Sequence, residues 1–412
     1  MPTSRSAEIR AKLDHPVIDS DGHTVEFQPA LFDYLKQVGG PGLSEGLSGG
    51  GMGGAFGWYG LSPDERLERR AMRPPWWALP ASNTLDRATA SLPRLLRERL
   101  DDMGLDFTVI YPTLGLFAVA LPADELRQAM CRAINMLHAD LFREQADRMT
   151  PVAAIPMHTP EEAIAELDFA VGELGLKGVM MAGVVQRRIP HTNDATWIDH
   201  LGVDSLYDYD PVWRRCVELG VSPTFHSAGM GWGSRTSVNN YMFNHIGHFA
   251  SAGEATCKSL FMHGVTRRFP TLRFAFLEAG VGWAINLFAD LVGHWEKRGG
   301  GRVAIYDPRS LDQDLLVELF EKYGEKAYEG KLDALRGGGL FGATASSDDG
   351  RDDFAACEVE RAEDLRDLFV PNFYFGCEAD DPINAHAFDT KVNPFGARLR
   401  ALFSSDIGHW DV

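Results

Sequence analysis

The chain has 412 residues, 45% hydrophobic and 24% charged, and its 40 Lys+Arg against 58 Asp+Glu leave a net charge of −18. This composition excludes disordered and collagen-like classes. The acid excess argues against a nucleic-acid partner, which needs a basic face to displace phosphate counterions. Five widely spaced cysteines without a CxxC pair exclude a disulfide framework or thiolate zinc site and point to a reducing, cytoplasmic setting. The opening residues hold no apolar signal core, and no later apolar run approaches the ~18 residues of a membrane span, so no membrane partner is expected.

Taken in chain order, the first strand is expected at residues 17–20. Residues 39–57 follow, about half of them glycine, and read as a loop that is either a solvated insertion or a lid. A tryptophan-rich stretch (Trp58, Tyr59, Trp76, Trp77) next to Pro74 and Pro75 either lines a pocket mouth or anchors that loop. Further short apolar runs at 107–111, 152–156, 178–181, 222–225, 273–277, 373–376 and 401–404 are bounded by turn residues and separated by helix-period sequence. A second Gly/Ser/Asp-rich linker occupies 337–351. Eight strands in βα order predict an α/β fold, a parallel (β/α)8 TIM-type barrel, with an open doubly wound sheet as the alternative. No glycine-rich phosphate loop follows any strand, which weakens that alternative. The expected organisation is one barrel over 15–412 with insertions at 39–90 and at 300–370, between the sixth and seventh strands. The eighth strand ends near Ser404 and the chain at Val412, so it reads as truncated before a final helix.

In such a barrel the chemistry gathers at the C-terminal ends of the strands. Five of them end in a carboxylate or imidazole: Asp19-Ser-Asp21-Gly-His23, Thr224-Phe-His226, Phe276-Leu-Glu278, Gly376-Cys-Glu378 and Ser404-Ser-Asp406. Residues two apart on a strand share a face, so Asp21 and His23 can address one ion, with His226 and Asp406 approaching from the fifth and eighth strands. Mixed nitrogen and oxygen donors without thiolate suit Zn²⁺, Mn²⁺ or Fe²⁺. His245 and His248 stand at i, i+3 on an expected helix. They either pack there or join Glu278 at a second metal. Arg235 either holds a substrate carboxylate or is a loop charge. His158 is placed near the mouth, and His409 near Asp406.

The motifs VIDSDGH, FHSAG, RRFPTLRFAFLEAGVGW and FSSDIGHWD resemble, in order, those of the amidohydrolase-2 family, the amidohydrolase branch that includes aromatic-acid decarboxylases. The resemblance implies a metal-dependent barrel with its ligands at Asp21, His23, His226 and Asp406, and family sequences that run on past the eighth strand. Two departures matter. Asp21 stands where much of the family has His or Glu. Glu278 stands where many decarboxylase-like members carry a catalytic His.

The leading expectation is a metal-dependent hydrolase for a small-molecule substrate, with one divalent metal per chain, Asp406 or Glu278 accepting the water proton, and homo-oligomerisation allowed. Metal-assisted decarboxylation stands close behind it. An O₂-dependent hydroxylase with two irons, the second on His245, His248 and Glu278, is the alternative. A barrel that has lost catalysis is disfavoured by five polar strand ends.

Overall fold

The computed structural model describes residues 4–50, 57–74, 82–193, 195–226, 236–336, 352–378 and 380–409. Its ten strands, named in chain order, are β1 (Ile18–Thr24), β2 (Phe107–Pro112), β3 (Met149–Ala154), β4 (Gly178–Met181), β5 (Val185–Arg188), β6 (Thr196–Asp199), β7 (Pro223–Phe225), β8 (Phe274–Phe276), β9 (Phe373–Glu378) and β10 (Arg400–Ser404). Eight form one sheet in the order β1-β2-β3-β4-β7-β8-β9-β10, all parallel. Every strand expected from the sequence is present, and the sequential order rules out the doubly wound alternative. The circle closes between β10 and β1. Ser20 Oγ donates to Phe403 O (2.7 Å), and Asp406 N donates to Asp21 O (2.9 Å).

Two-residue periodicity separates two apolar layers. Ala275 and Leu277 pack inside the barrel with Tyr111, Val152, Ala154 and Met180. Phe274, Phe276, Phe373 and Phe375 pack outward under the helices with Trp213 and Phe369. A mainly aliphatic interior and an aromatic outer layer fit a narrow barrel under a wide helical shell.

The antiparallel hairpin β5–β6 lies outside the expected strand set. Its burial alternates, but one inward position is Arg187, which pairs with Asp199 (3.0 Å) and Tyr209 Oη (2.9 Å). A buried cation hides the apolar alternation that would mark a strand. The loop reading of 39–57 also needs correction. A helix runs Gln28–Gly50, broken only at Gly40 (φ 77°) and resumed at Pro41, a residue whose fixed φ suits the first turn. Its amphipathic first half lays Leu31 and Leu35 against Ala129 and Met130 of the helix Asp124–Phe142. The remainder of that stretch, with Trp76, Trp77 and the 337–351 linker, lies outside the described residues. Among the described residues no helix is long and apolar enough to cross a membrane. All five cysteines are free and buried.

Candidate metal centre

The strand ends converge. A β-bulge between Asp19 and Gly22 lets Asp21 and His23 both turn into the barrel mouth. Gly22 is required there, because a Cβ would lie 2.7 Å from Thr108 Oγ1. His23 Nε2 lies 3.5 Å from Asp21 Oδ1, 3.2 Å from His226 Nε2 and 3.3 Å from Asp406 Oδ1. His226 Nε2 is 3.9 Å from Asp21 Oδ1 and 3.2 Å from Glu278 Oε2. Asp21, His23 and His226 are fully buried, and Asp406 nearly so.

Glu278 and Asp406 both adopt φ of 51°, a left-handed conformation that is strained for side-chain-bearing residues. The reason is legible in the layers. Leu277 already faces the interior, so alternation would send Glu278 outward; the left-handed turn brings it inward to His226.

Electrostatics mark the cluster as incomplete without positive charge. Among the described residues neither carboxylate oxygen of Asp21 accepts a well-formed hydrogen bond, the Glu278 backbone N–H offering only weak compensation. Burial, opposed by His226 and reinforced by the charges of Glu278 and Asp19, pushes its carboxyl up to about 8. Burial, with His409 and His226 beside it, drives the His23 imidazole well below its usual range, leaving a neutral ring able to ligate. Burial would also raise Glu278, but hydrogen bonding to His226 and then His245 outweighs it and keeps that carboxyl low. Unsatisfied buried anions cost several kcal/mol, of order 1–3 each even for neutral polar groups, so this donor set fits a cation. Two overlapping groups have their ligand atoms within 4.8 Å of one another: Asp21, His23 and His226, and His23, Glu278, Asp406 and His409. Oxygen and imidazole donors without sulfur match Zn²⁺, Mn²⁺ or Fe²⁺.

The surrounding shell is ordered. His409 Nδ1 lies 2.8 Å from Asp406 Oδ1, its Nε2 reaches Thr113 Oγ1 (3.2 Å), and its ring stacks on His23 at 3.8 Å. Buried Tyr111 sits below, its hydroxyl donating to Thr224 Oγ1 (3.1 Å), its ring 6.0 Å from both His23 and His226.

The helical placement of His245 and His248 differs from expectation. One short helix, Tyr241–His245, ends at His245, and Gly247 (φ 73°) turns the chain before another begins at His248. The shared helix face is therefore lost. His245 Nε2 reaches Glu278 Oε1 at 3.6 Å, but no described three-ligand group contains both histidines. Arg235 lies outside the described residues. His158 serves the scaffold: its imidazole lies 3.8 Å from Glu162, and its carbonyl accepts from Arg187 (2.6 Å).

One buried carboxylate escaped sequence reasoning. Asp19 accepts from Thr108 Oγ1 (2.8 Å), Ser405 Oγ (2.7 Å), Ser405 N (2.9 Å) and Asp21 N (3.2 Å), tying β1 to β2 and to the turn carrying Asp406.

Comparison with known proteins bears on the family and the fold. A family model described as Amidohydrolase matches residues 69–327, a span that includes His226, His245 and Glu278. Among solved structures, the chain is similar to a dihydroxybenzoic acid decarboxylase from Polaromonas sp. JS666 with bound manganese and the inhibitor 2-nitroresorcinol. The identity is 16%, the coverage 95% of this chain and 86% of that one, and the TM-score 0.50. It is also similar to 5-carboxyvanillate decarboxylase from Sphingomonas paucimobilis, at 15% identity, 95% and 88% coverage, and a TM-score of 0.50. At these identities the likeness is one of fold.

Proposed function

The chain belongs to the amidohydrolase family, and from that premise we propose that it is a divalent-metal enzyme acting on a small organic molecule, with Asp21, His23, His226 and Asp406 holding the ion. The observation that carries this reading is the wholly buried Asp21 carboxylate, short of hydrogen-bond donors and 3.5 and 3.9 Å from two imidazoles. A bound divalent ion would lower the pKa of a coordinated water toward ~7 or polarise a substrate carbonyl.

This chain's own residues supply the rest. His409, stacked on His23, fixes the Asp406 carboxylate that would accept the proton of an attacking water. Glu278, lying between His226 and His245, is the second acceptor, with His245 able to carry the proton outward. Held ionised between two imidazoles, Glu278 is not the proton donor that a decarboxylation needs at that strand end, which favours hydrolysis. Five buried, unpaired cysteines suit a reducing compartment.

A second reading, O₂-dependent hydroxylation by two irons, draws support from the two overlapping ligand groups, which together offer more donors than one ion requires. Metal analysis of protein purified without added metal separates the two. About one Zn or Mn per chain is expected for the first reading, and about two Fe with O₂ uptake for the second. If Asp21→Ala and Asp406→Ala each retain full metal content, the site assignment is wrong. Two irons persisting in His245→Ala would remove His245 from the second centre.

A further inference from the structure

Between the helix Gly282–Arg298 and β9 the chain leaves the barrel. That helix descends from the mouth end of β8, so the segment 300–336 starts on the face opposite the metal cluster. Gly300 N donates to the Asp352 carboxylate (3.2 Å), which closes the base of the excursion. Its longest element is the helix Gln313–Tyr323, capped by Asp312, whose carboxylate accepts from Leu315 N (2.9 Å).

This helix has no core to rest on. None of its 11 residues is buried, and among the described residues none belongs to the three apolar clusters of the molecule. Isolated helices shorter than ~12–15 residues are marginal in water, because packing of one face supplies most of a helix's stability. Leu316 and Phe320 are half-buried, with Phe320 against Tyr328 at 5.9 Å. Leu311, Leu315, Leu319 and Tyr323 recur at every fourth position and form one exposed apolar stripe. Together with Ile305, Tyr306 and Tyr328 they are 43–76% exposed. At roughly 200 Å² for a whole side chain of this size, the exposed part comes to about 750 Å², close to the ~800 Å² that each partner gives a standard interface.

The stripe is complementary to its own reverse. Turned antiparallel about a two-fold axis near residue 317, it sets Leu315 against Leu319 and Leu311 against Tyr323 of a second copy. In such a pair like flanks face each other, so the flank Asp314, Glu318 and Lys322 meets itself reversed, with Asp314 opposite Lys322 twice. Acid in the first turn and lysine in the last also suit two opposed helix dipoles. Glu318 falls near the axis and is the one like-charge contact. A lipid surface is a poorer match, because helices that lie on one carry lysine and arginine beside the apolar face, whereas this one carries Asp314, Glu318 and Glu321 against Lys322 alone.

We propose that Leu311, Leu315, Leu319 and Tyr323 form the contact surface of a homodimer, in which the helix Gln313–Tyr323 packs antiparallel on its copy. The contact does not depend on the reaction proposed for the metal cluster.

Sedimentation velocity of the full chain tests this. At tens of micromolar the wild type is expected at twice the 45.5 kDa of one chain. Leu315→Glu combined with Leu319→Glu should sediment as a monomer. Its near-UV circular dichroism and bound metal per chain should match the wild type, because both side chains already face solvent. Lys322→Glu should weaken dimerisation by about tenfold, and adding Asp314→Lys should restore it. Glu318→Gln should tighten it. Should the leucine pair disturb the near-UV spectrum, the charge reversal and its rescue decide alone. A monomeric wild type, a dimer indifferent to the leucine pair, a reversal that Asp314→Lys fails to rescue, or a monomer that floats with lipid vesicles would each overturn the proposal.

Discussion

Asp19 offers the sharpest test of how this barrel is closed. Replacing it by alanine removes an acceptor for four donors, two backbone N–H groups on Oδ1 and two hydroxyls on Oδ2, all at 2.7–3.2 Å. At about 1 kcal/mol net per bond the loss is ~4 kcal/mol, and relief of the buried carboxylate's desolvation reduces it to about 3. Asparagine behaves differently. Its carbonyl oxygen can keep both backbone donors, while the Thr108 hydroxyl turns to Val109 O, 3.5 Å away, leaving a cost of about 1 kcal/mol. Urea unfolding of the metal-free proteins, with m-values compared, measures both differences. An Asp19→Ala protein within about 1 kcal/mol of wild type, or an Asp19→Asn protein as unstable as Asp19→Ala, would refute the clasp.

Two further outcomes are expected. Gly408 has φ 101°, and a Cβ there would lie 2.5 Å from His23 O, in a turn where His23 N bonds Ile407 O at 2.6 Å. Gly408→Ala should cost about 2–3 kcal/mol in urea unfolding and release bound metal; unchanged stability would show that the turn relaxes freely. His158 is held near 4 by burial, with Arg127 adding to the effect. The unfolded imidazole binds its proton near 6.5 and the folded one does not, so stability falls as pH drops from about 6.5 through about 4. The side chain is 17% exposed, and the contribution is about 2 kcal/mol, read as a flatter stability–pH profile for His158→Asn.

The sequence made the eight barrel strands readable because each is a short apolar run flanked by turn residues, whichever apolar layer it serves. Asp21, His23, His226, Glu278 and Asp406 were findable because strand ends in this fold face one mouth. What escaped depended on distance or on a single backbone angle. Asp19 pairs with Ser405 across nearly the whole chain, and no local pattern announces such a partner. His245 and His248 look coaxial until Gly247 is seen turning left-handed, a signal the glycine itself carried. Arg187 made a half-buried hairpin look solvated, because its partner Asp199 lies on the opposite strand. The helix that continues through Gly40 defied composition, since Pro41 restarts what Gly40 interrupts.

The joining of β1 to the turn after β10 also bears on how the protein is made. Asp21 and His23 leave the ribosome long before Asp406 and His409, which they meet in the folded protein. The four proposed ligands, drawn from β1, β7 and the turn after β10, cannot assemble on a nascent chain until β10 has emerged and docked beside β1. Helices such as Asp124–Phe142 fold from local contacts, but closure waits on the pairing most remote in sequence. With the proposed ligand set, metal capture therefore waits until residue 406 has emerged, and a ribosome stalled before it would release a barrel-like fragment with half a centre.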